Sequence, residues 1–528
     1  MPKMRFPQYR KARQGVELFS GTLLEHARRA GVEIPSDCGG LGKCGRCIVR
    51  VERGAECMNS KTEPENGHRL APGERLACQA RVVNPQADVT VFVKELGAYS
   101  IVTQTVETED VPLEPFVHRD GRRVVSASGE ELGRYRGEIY GLALDVGTTT
   151  LALQVVDLED GRIIATAART NPQISYGNDI ISRIGHTMAH QDGLAELQQS
   201  VIGGVNEQLA GLEPEHGELR GSIFDAVVVG NSTMRGIFFG QDVSSLGVIP
   251  FEPVDPDAVT MEAGELGLRI SPQANVYGGA LIGGHAGADA LADVIASRLD
   301  QSEGISMVID IGTNGEVVVG NRHRMMSASC AAGGAYEGAT VTCGSGAVEG
   351  AISNVWITDG QAGYETIGGK PPVGVCGSGL IDLLAEMLRT GRMSRTAKIG
   401  DDFCLADGIC ITQQDIYELI TAKAGLRLDQ DLLMRYYGVE LDQVQRIFLA
   451  GGFGNFINAE NAVAIGLLPP APEKVVRIGN GALAGAREML INRSVRRRSE
   501  QIARSIEHTK PNEREPDFPY LVAEKMYF

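Results

Sequence analysis

Aromatic residues are scarce in this sequence, and long apolar stretches are missing. Phe, Trp and Tyr together make up 5% of the 528 residues, and there is a single tryptophan. No apolar run reaches the roughly 18 residues that a membrane-spanning helix needs. Residues 1–14 are polar and basic and lack the apolar segment of a signal peptide. These features argue against a membrane-spanning or secreted protein, and a cytoplasmic location is expected.

Positive charge is also in deficit. The chain has 50 Lys and Arg against 67 Asp and Glu, a formal net charge of −17. Such a chain repels nucleic-acid phosphates and anionic membrane surfaces, so neither is an expected partner. Ten cysteines without a secretory signal point to metal or redox use rather than to disulfides. Glycine is abundant, with 66 residues, which indicates a glycine-rich α/β protein of several domains.

A strand–turn–strand pattern occupies residues 307–319. Apolar residues lead into Asp310, Gly312 and Thr313 turn the chain, and three valines continue as a second strand. Glycine lets backbone N–H groups approach an anion, Thr313 adds a hydroxyl, and Asp310 can hold a hydrated Mg²⁺. A single turn of this kind occurs in many hairpins and indicates little by itself.

The same phrase occurs a second time, earlier in the chain. Residues 141–144 lead into Asp145, and the turn Gly147–Thr150 precedes the apolar run 151–156. An internal duplication at the scale of a domain is hard to explain by chance. Two such hairpins facing each other would form a cleft for a nucleoside triphosphate.

Four cysteines near the N-terminus have the spacing of an iron–sulfur site. They follow the pattern C-x5-C-x2-C-x30-C and are Cys38, Cys44, Cys47 and Cys78. The first gap is one residue longer than in plant-type ferredoxins, and four thiolates can hold a [2Fe–2S] cluster. A structural zinc site is the alternative, but zinc sites usually carry two C-x2-C pairs. Cys57 lies outside the pattern. In its gap lengths the segment resembles the adrenodoxin-like branch of [2Fe–2S] ferredoxins.

The sequence predicts four segments. A ferredoxin-like domain covers residues 1–95, and a linker covers 96–138, where the hydrophobic period is lost and at most one short strand or helix is expected. The two halves of a nucleotide-binding fold cover 139–300 and 301–528.

Residues 139–528 contain five features in the order found in the actin-like nucleotide fold. This order resembles that of acetate and sugar kinases and heat-shock-type chaperone ATPases. Two are the phosphate loops described above. The glycine-rich turn 450–454 resembles the adenosine loop, and small-residue helices after Gly283 and Gly479 resemble the interdomain hinges. The expected fold is α/β: a β-grasp-like [2Fe–2S] ferredoxin domain, a linker and a duplicated actin-like domain.

The order of these parts resembles the reductive activators of corrinoid-dependent enzymes. Phrases similar to that family's lie at residues 171–173, 230–234, 310–316, 376–382 and 450–455. The resemblance implies an ATP-hydrolysing iron–sulfur reductase that converts inactive Co(II) corrinoid to Co(I). Its partner would be a corrinoid (cobalamin-binding) protein of a methyltransferase or demethylase system. An unidentified low-potential donor would supply the electron, and a homodimer is left open.

The resemblance also implies roles for individual residues of the cleft. Asp145 and Asp310 would hold Mg²⁺ and, with Thr148 and Thr313, form the catalytic set. The remaining residues expected to bind ATP are Gly147, Thr149, Gly312, Asn314, Gly315, Glu316, Gly451, Gly452, Phe453 and Gly454.

Two other classes of function stay open. The first is a small-molecule kinase of the same fold with a regulatory iron–sulfur domain. The second is an activator of a 2-hydroxyacyl-CoA dehydratase-type enzyme, in which Cys330, Cys343 and Cys376 could bind a second cluster, although small buried cysteines are the plainer interpretation. The basic run Arg493–Arg498 is interpreted as a solvated helix face rather than a phosphate-binding patch.

Overall fold

The structure is a computed structural model of the chain. It describes residues 2–7, 12, 15–32, 34, 36, 40–42, 47–68, 70, 72–93, 111–330, 334–338, 340–452 and 456–528. Contacts between Cα atoms divide the chain into two compact units. The first comprises Met1–Gly97 with Pro172–Gly193, and the second comprises Ala98–Asn171 with Leu194–Phe528.

The first unit is built on a five-stranded sheet in the order β2-β1-β5-β3-β4. Its strands are β1 (Lys3–Arg5), β2 (Val16–Glu17), β3 (Ile48–Arg53), β4 (Glu74–Leu76) and β5 (Val89–Val93). Its helices are α1 (Leu23–Arg29), α2 (Glu63–Asn66) and α3 (Ile180–Ala189). Strand β5 alternates buried valines with half-buried residues, the period of a strand that faces a core on one side. The mixed sheet, with β1 parallel to β5, agrees with the ferredoxin-like domain expected here.

The segment Pro172–Gly193 belongs to the first unit by its contacts. The backbone N–H of Ser36 donates to the carbonyl of Ile174 at 3.3 Å. The Arg28 guanidinium lies 4.3 Å from the centroid of the Tyr176 ring. The boundaries predicted from the sequence place this segment in the first half of the nucleotide-binding fold, because periodicity carries no information about which core a helix joins.

The second unit contains two six-stranded sheets of similar construction. The first has the order β11-β10-β9-β12-β14-β13. The strands of this half are β6 (Val117–Asp120), β7 (Arg123–Ser126), β8 (Glu131–Arg134), β9 (Tyr140–Val146), β10 (Thr150–Asp157), β11 (Ile163–Thr170), β12 (Ile223–Val229), β13 (Val259–Glu262) and β14 (Asn275–Gly278). The helices are α4 (Gly193–His216), α5 (Ser232–Phe238), α6 (Ala263–Leu266) and α7 (Ala288–Ala296).

The second large sheet has the order β24-β23-β15-β16-β17-β25. The strands of this half are β15 (Ser306–Ile311), β16 (Gly315–Asn321), β17 (Arg324–Cys330), β18 (Ala351–Thr358), β19 (Gln361–Thr366), β20 (Gly374–Val375), β21 (Phe403–Ala406), β22 (Ile409–Ile411), β23 (Arg446–Ala450), β24 (Val475–Gly479) and β25 (Ile506–His508). The helices are α8 (Gly377–Arg389), α9 (Gln413–Tyr437), α10 (Ala459–Ala464), α11 (Gly481–Ile491), α12 (Arg493–Ser505), α13 (Pro511–Arg514) and α14 (Phe518–Lys525).

The duplication seen in the sequence is a duplication of topology. Strand β9 pairs antiparallel with β10 and parallel with β12, and β15 pairs in the same way with β16 and β23. Both leading strands are almost wholly buried, which explains their continuous apolar runs. One core cluster joins the two halves through α7 and α11. These helices cross so closely that a Cβ at Gly485 would lie 2.2 Å from the carbonyl oxygen of Ala292.

The predicted linker is partly folded. Strands β6, β7 and β8 form a three-stranded antiparallel sheet. Val117, Val124 and Leu132 from this sheet are buried in the same core cluster as Phe224 of β12. The expectation of a linker with at most one short element is therefore wrong for residues 117–134. The charged surface positions obscured the period, while a few valines and a leucine suffice to anchor small strands.

Two further expectations are wrong. Cys404 and Cys410 face each other in the β21–β22 hairpin and form a disulfide, so cysteine use is not confined to metal or redox sites. In α12, Arg496 is buried with its Nη2 2.6 Å from Asp225 Oδ2, so the basic run is not simply a solvated face. Among the residues that the structure describes, no helix is both long and apolar enough to span a membrane.

Candidate functional site

The first predicted phosphate loop connects β9 to β10. A Cβ at Gly147 would lie 2.7 Å from the carbonyl oxygen of Thr150, so only glycine fits this turn. Asn171 Nδ2 donates to the Gly147 carbonyl at 2.8 Å, and Asn231 Nδ2 donates to Thr148 Oγ1 at 3.0 Å. Amides from distant segments therefore hold the loop in shape.

Asp145 is the last but one residue of β9, just before the same loop. Asn480, which begins α11, donates from Nδ2 to Asp145 Oδ2 at 2.9 Å and accepts from the backbone N–H of Leu483 at 2.7 Å. Burial raises the pKa of Asp145 to about 7, and the charge of Asp289 adds to this, whereas the Asn480 hydrogen bond lowers it. The duplicated halves thus meet at the Asp145–Asn480 hydrogen bond.

The second predicted loop connects β15 to β16 and presents Asp310. Burial raises the pKa of Asp310 to about 7, and the charges of Asp289 and Asp145 raise it further. Gly451 approaches closely: a Cβ there would lie 2.8 Å from Asp310 Oδ1, and its φ of 110° also favours glycine. The buried carboxyl of Asp293 contacts Asp310 and lowers its pKa, but no described amide, hydroxyl or cationic group donates to Asp310 Oδ1 or to Glu316 Oε1, although both oxygens are buried.

Both loops line one cavity, which is open to solvent. Its described walls include five carboxylate side chains but no lysine, arginine or histidine, and the carboxylates are Asp145, Asp289, Asp310, Glu316 and Glu337. A site with this charge would repel a nucleotide unless a divalent cation came with it. Unpartnered, buried carboxylate oxygens are the hard ligands that Mg²⁺ uses together with waters and phosphates. The residues present therefore fit a Mg²⁺-bound nucleotide.

Most of the residues predicted to bind nucleotide come together in this cavity. Those that line it are Gly147, Thr148, Thr149, Gly312, Thr313, Asn314, Glu316, Gly451 and Gly452, in addition to Asp145 and Asp310. Gly315 is not among the lining residues, and a Cβ there would point at Leu426 and Cys330. Phe453 and Gly454 lie outside the described residues.

The cavity also contains functional groups that were not predicted from the sequence. Glu337 accepts hydrogen bonds from the hydroxyls of Thr149 and Thr313. Asp289 lines the cavity from the start of α7, and burial raises its pKa to about 6. Asp289 lies at the start of the small-residue helix after Gly283, which the sequence predicts as a hinge. That position is the sequence feature that could have indicated a role for Asp289 in the site. Glu337 carries no such signal, because nothing in its local pattern indicates the two loops it contacts.

The structure describes two of the four cysteines of the predicted cluster site. Cys47 and Cys78 are buried, and their Sγ atoms lie 3.4 Å apart. Gln79 donates from Nε2 to Cys78 Sγ at 3.6 Å, the kind of contact that tunes an iron–sulfur centre. Two thiols converging next to an amide donor fit a tetrathiolate cluster. Cys38 and Cys44 lie outside the described residues.

The remaining predicted thiols offer no second cluster. Cys57 is buried and its thiol donates to the carbonyl of Ala87 at 3.7 Å, away from the pattern. Burial raises the pKa of both Cys330 and Cys376, which disfavours the thiolate that a metal needs. Over the described part of the chain, no group of three or more His, Cys, Asp or Glu side chains is arranged to hold a metal ion.

Family models match almost the whole chain. Residues 304–527 match the C-terminal, ASKHA domain of RACo, and residues 140–302 match the RACo middle region. Residues 12–83 match the 2Fe–2S iron–sulfur cluster binding domain. The chain belongs to the family of reductive activators of corrinoid proteins. As expected from the sequence, it combines a [2Fe–2S] ferredoxin domain with an actin-like nucleotide-binding domain for ATP.

Individual relatives agree with this family. The chain is 29% identical over 521 residues to the "Corrinoid activation enzyme RamQ" of Eubacterium limosum, covering 86% of this chain and 88% of that one. It is 25% identical to a "[Co(II) methylated amine-specific corrinoid protein] reductase" of Methanosarcina barkeri, covering 67% and 71%. A solved "Reductive activator for corrinoid,iron-sulfur protein" superposes with a TM-score of 0.75 at 29% identity, covering 100% and 98%.

Proposed function

We propose that this reductive activator uses ATP to drive an electron onto the cobalt of a corrinoid protein, converting inactive Co(II) to Co(I). The observation that carries the proposal is the pairing of two chemistries in one chain. One unit holds converging buried thiols, and the other holds an acidic cavity framed by duplicated phosphate loops. The relatives named above act on corrinoid proteins, which supports a corrinoid protein as the partner.

The nucleotide cavity supplies positioning and charge. We assign Asp310 and Glu316 to the cation, because their buried oxygens lack donors in the described structure. We assign Gly147 and Thr148 to a phosphate, because both line the cavity and Asn231 fixes the Thr148 hydroxyl. A bound Mg²⁺ would neutralise the phosphate charge during hydrolysis. Gly451 and Gly452 line the cavity where an adenosine could lie flat against backbone.

The thiols of the first unit hold the redox centre. We assign Cys38, Cys44, Cys47 and Cys78 as its four ligands, with Gln79 donating to the sulfur of Cys78. A [2Fe–2S] cluster supplies one-electron transfer, so each Co(II) reduced consumes one electron. A low-potential donor of the reduced-ferredoxin class would replace that electron after each transfer.

ATP is needed because the electron transfer runs uphill. The reduction potential of plant-type clusters is about −400 mV, and the family resemblance implies a lower Co(II)/Co(I) potential. Each gap of about 59 mV for one electron reduces the equilibrium constant tenfold. Nucleotide can shift this balance only by binding one state of the complex more tightly than another. The cavity lies between sheets joined by α7 and α11, so the position of the two halves can depend on the nucleotide.

The proposal is tested by cobalt spectroscopy with a corrinoid partner, a fixed reductant and catalytic amounts of activator. Co(I), or its methylated product, should accumulate only with ATP. Cys78→Ser should abolish accumulation, while Cys57→Ser should retain it, because both thiols are buried but only Cys78 lies against Cys47. Equal Co(I) yield without nucleotide, or with Cys78→Ser, would refute the proposal.

A further inference from the structure

Glu337 reaches the nucleotide cavity from a segment that belongs to neither phosphate loop. The turn 334–338 is fixed on both sides of this residue. Tyr336 donates its hydroxyl to the carbonyl of Leu419 in α9 at 3.1 Å. Gly338 packs against Ser345 so closely that a Cβ would lie 2.5 Å from the Ser345 N atom. The backbone of Glu337 is therefore held in place, and its side chain is the part that can move.

The carboxylate of Glu337 bridges the two phosphate loops. Thr149 Oγ1 donates to Glu337 Oε2 at 2.9 Å, and the hydroxyl of Thr313 donates to the same oxygen. The two hydroxyls themselves lie 2.9 Å apart. Hydrogen bonds from hydroxyls to a charged acceptor are stronger than those between neutral groups, so this three-membered contact is favourable.

The contact conflicts with nucleotide binding. Thr149 and Thr313 lie in the two predicted phosphate loops and line the cavity, and a hydroxyl has only one proton to donate to a phosphate oxygen. A phosphate oxygen and the Glu337 carboxylate therefore compete for the same two donors. Both are anions, and the cavity already contains four other carboxylates, so the two cannot share the position at low cost.

We propose that Glu337 is a gate at the phosphate end of the cavity, occupying the donors of Thr149 and Thr313 until a nucleotide phosphate displaces it. Glu337 is half-buried and its backbone is anchored, so displacement needs only a rotation of the side chain away from the threonines. The gate thereby lowers the affinity for nucleotide. Because Glu337 contacts both phosphate loops, its displacement by a phosphate also removes a contact between them. This inference rests on the proposed ATP site and adds a residue that opposes binding there.

The affinity cost follows from the population of the open form. If hydrogen bonding leaves the carboxylate displaced in about one molecule in ten, the apparent affinity falls about tenfold. Removing the carboxylate should therefore raise the apparent affinity for nucleotide by about the same factor. The expected sign is unusual, because most substitutions in a nucleotide site weaken binding.

The test is calorimetric titration of the full-length protein with Mg²⁺-AMPPNP and with Mg²⁺-ADP. Glu337→Ala should bind AMPPNP about tenfold more tightly than the unsubstituted protein. Glu337→Gln retains an acceptor oxygen without the charge and should show a smaller gain. Glu349→Ala removes an exposed carboxylate that does not line the cavity and should change nothing. A gain with AMPPNP alone places the gate at the γ-phosphate, and an equal gain with ADP places it at the β-phosphate.

Weaker or unchanged AMPPNP binding by Glu337→Ala would overturn the gate. A loss of hydrolysis with unchanged affinity in both Glu337 variants would overturn it too, since that split is the signature of a group acting on the attacking water. If neither the unsubstituted protein nor any variant bound nucleotide, the proposed ATP site itself would fail. Tight binding by the unsubstituted protein with no gain in Glu337→Ala would reject the gate and leave the ATP site standing.

Discussion

The two phosphate loops of the second unit have the same topology but different surroundings. Asp145 in the first loop receives a hydrogen bond from Asn480, and Thr148 receives one from Asn231. In the second loop, Asp310 Oδ1 and Glu316 Oε1 are buried with no described amide, hydroxyl or cationic donor. The first loop is thus satisfied by protein amides, whereas the second retains oxygens for a ligand.

The difference indicates a division of labour after duplication. Amide donors from distant helices fix the shape of the first loop before any ligand arrives, which suits a loop that positions phosphate. Unpartnered carboxylate oxygens are unfavourable in an empty site and favourable beside a cation, which suits the second loop. Two loops that share the Asp-x-Gly-Thr pattern have therefore acquired different roles through the residues that pack against them.

The largest effects are expected when the aspartate of each loop is replaced in turn. Asp310→Ala should reduce Mg²⁺-dependent ATP hydrolysis by at least about 100-fold, because a preorganised charge stabilises the reaction at that position. Asp145→Ala should cost less, about tenfold, because Asn171 and Asn231 still hold the loop through Gly147 and Thr148. Steady-state phosphate release measures both, and the iron–sulfur absorbance should remain unchanged as a control. Equal losses in the two variants would contradict the division.

One glycine in each loop allows the rigidity of the two loops to be compared. Gly147→Ala places a Cβ 2.7 Å from the carbonyl oxygen of Thr150, whereas the nearest atom to a Cβ at Gly312 is the carbonyl oxygen of Asn314 at 3.4 Å. Gly147→Ala should raise the KM for ATP about tenfold, because the first loop must shift. Gly312→Ala should stay within about twofold. The idea of a rigid first loop would be wrong if Gly312→Ala were the more damaging change.

The amide that holds Asp145 can be removed on its own. Asn480→Ala should lose about 1 kcal/mol of stability, because Asn480 also caps α11. It should also shift the pH profile of kcat/KM upward, since the lost hydrogen bond had lowered the pKa of Asp145. Asn458→Ala removes a cap of the same kind from α10 and should show only the stability loss. An unshifted profile in Asn480→Ala would show that the hydrogen bond is structural only.

The smallest expected effect concerns pH. Burial raises the pKa of Asp310 from 3.8 to about 7 and raises the pKa of Glu316 well above its ordinary value. Between these values the folded, ligand-free site binds more protons than the unfolded chain, so stability falls as pH rises through this range. Mg²⁺ must displace those protons. Thermal denaturation should therefore show a larger stabilisation by Mg²⁺-AMPPNP at about pH 8 than at about pH 6. The same shift at both pH values would argue that the carboxylates do not hold the cation.

Local patterns predicted the outlines of the fold and much of the site. The repeated turn at Asp145 and Asp310 was visible because strand, glycine and hydroxyl follow each other within a few residues. The helix start at Asn480 was visible too, but its contact with Asp145 was not, because the two are far apart in sequence. The meander β6–β8 was missed because its anchoring residues are few and its exposed positions are charged.

Sequence alone was enough for the sites whose residues lie at short, fixed spacings along the chain. The cysteine pattern predicts a cluster, and the duplicated glycine turns predict a cleft for phosphates, since both need only short-range geometry. Tertiary structure alone decided which carboxylates share the cavity and which oxygens are left without a donor. Asp289 and Glu337 enter the site from separate segments, and their effects arise from burial and mutual charge. Those forces depend on distances through space, which only the folded chain defines.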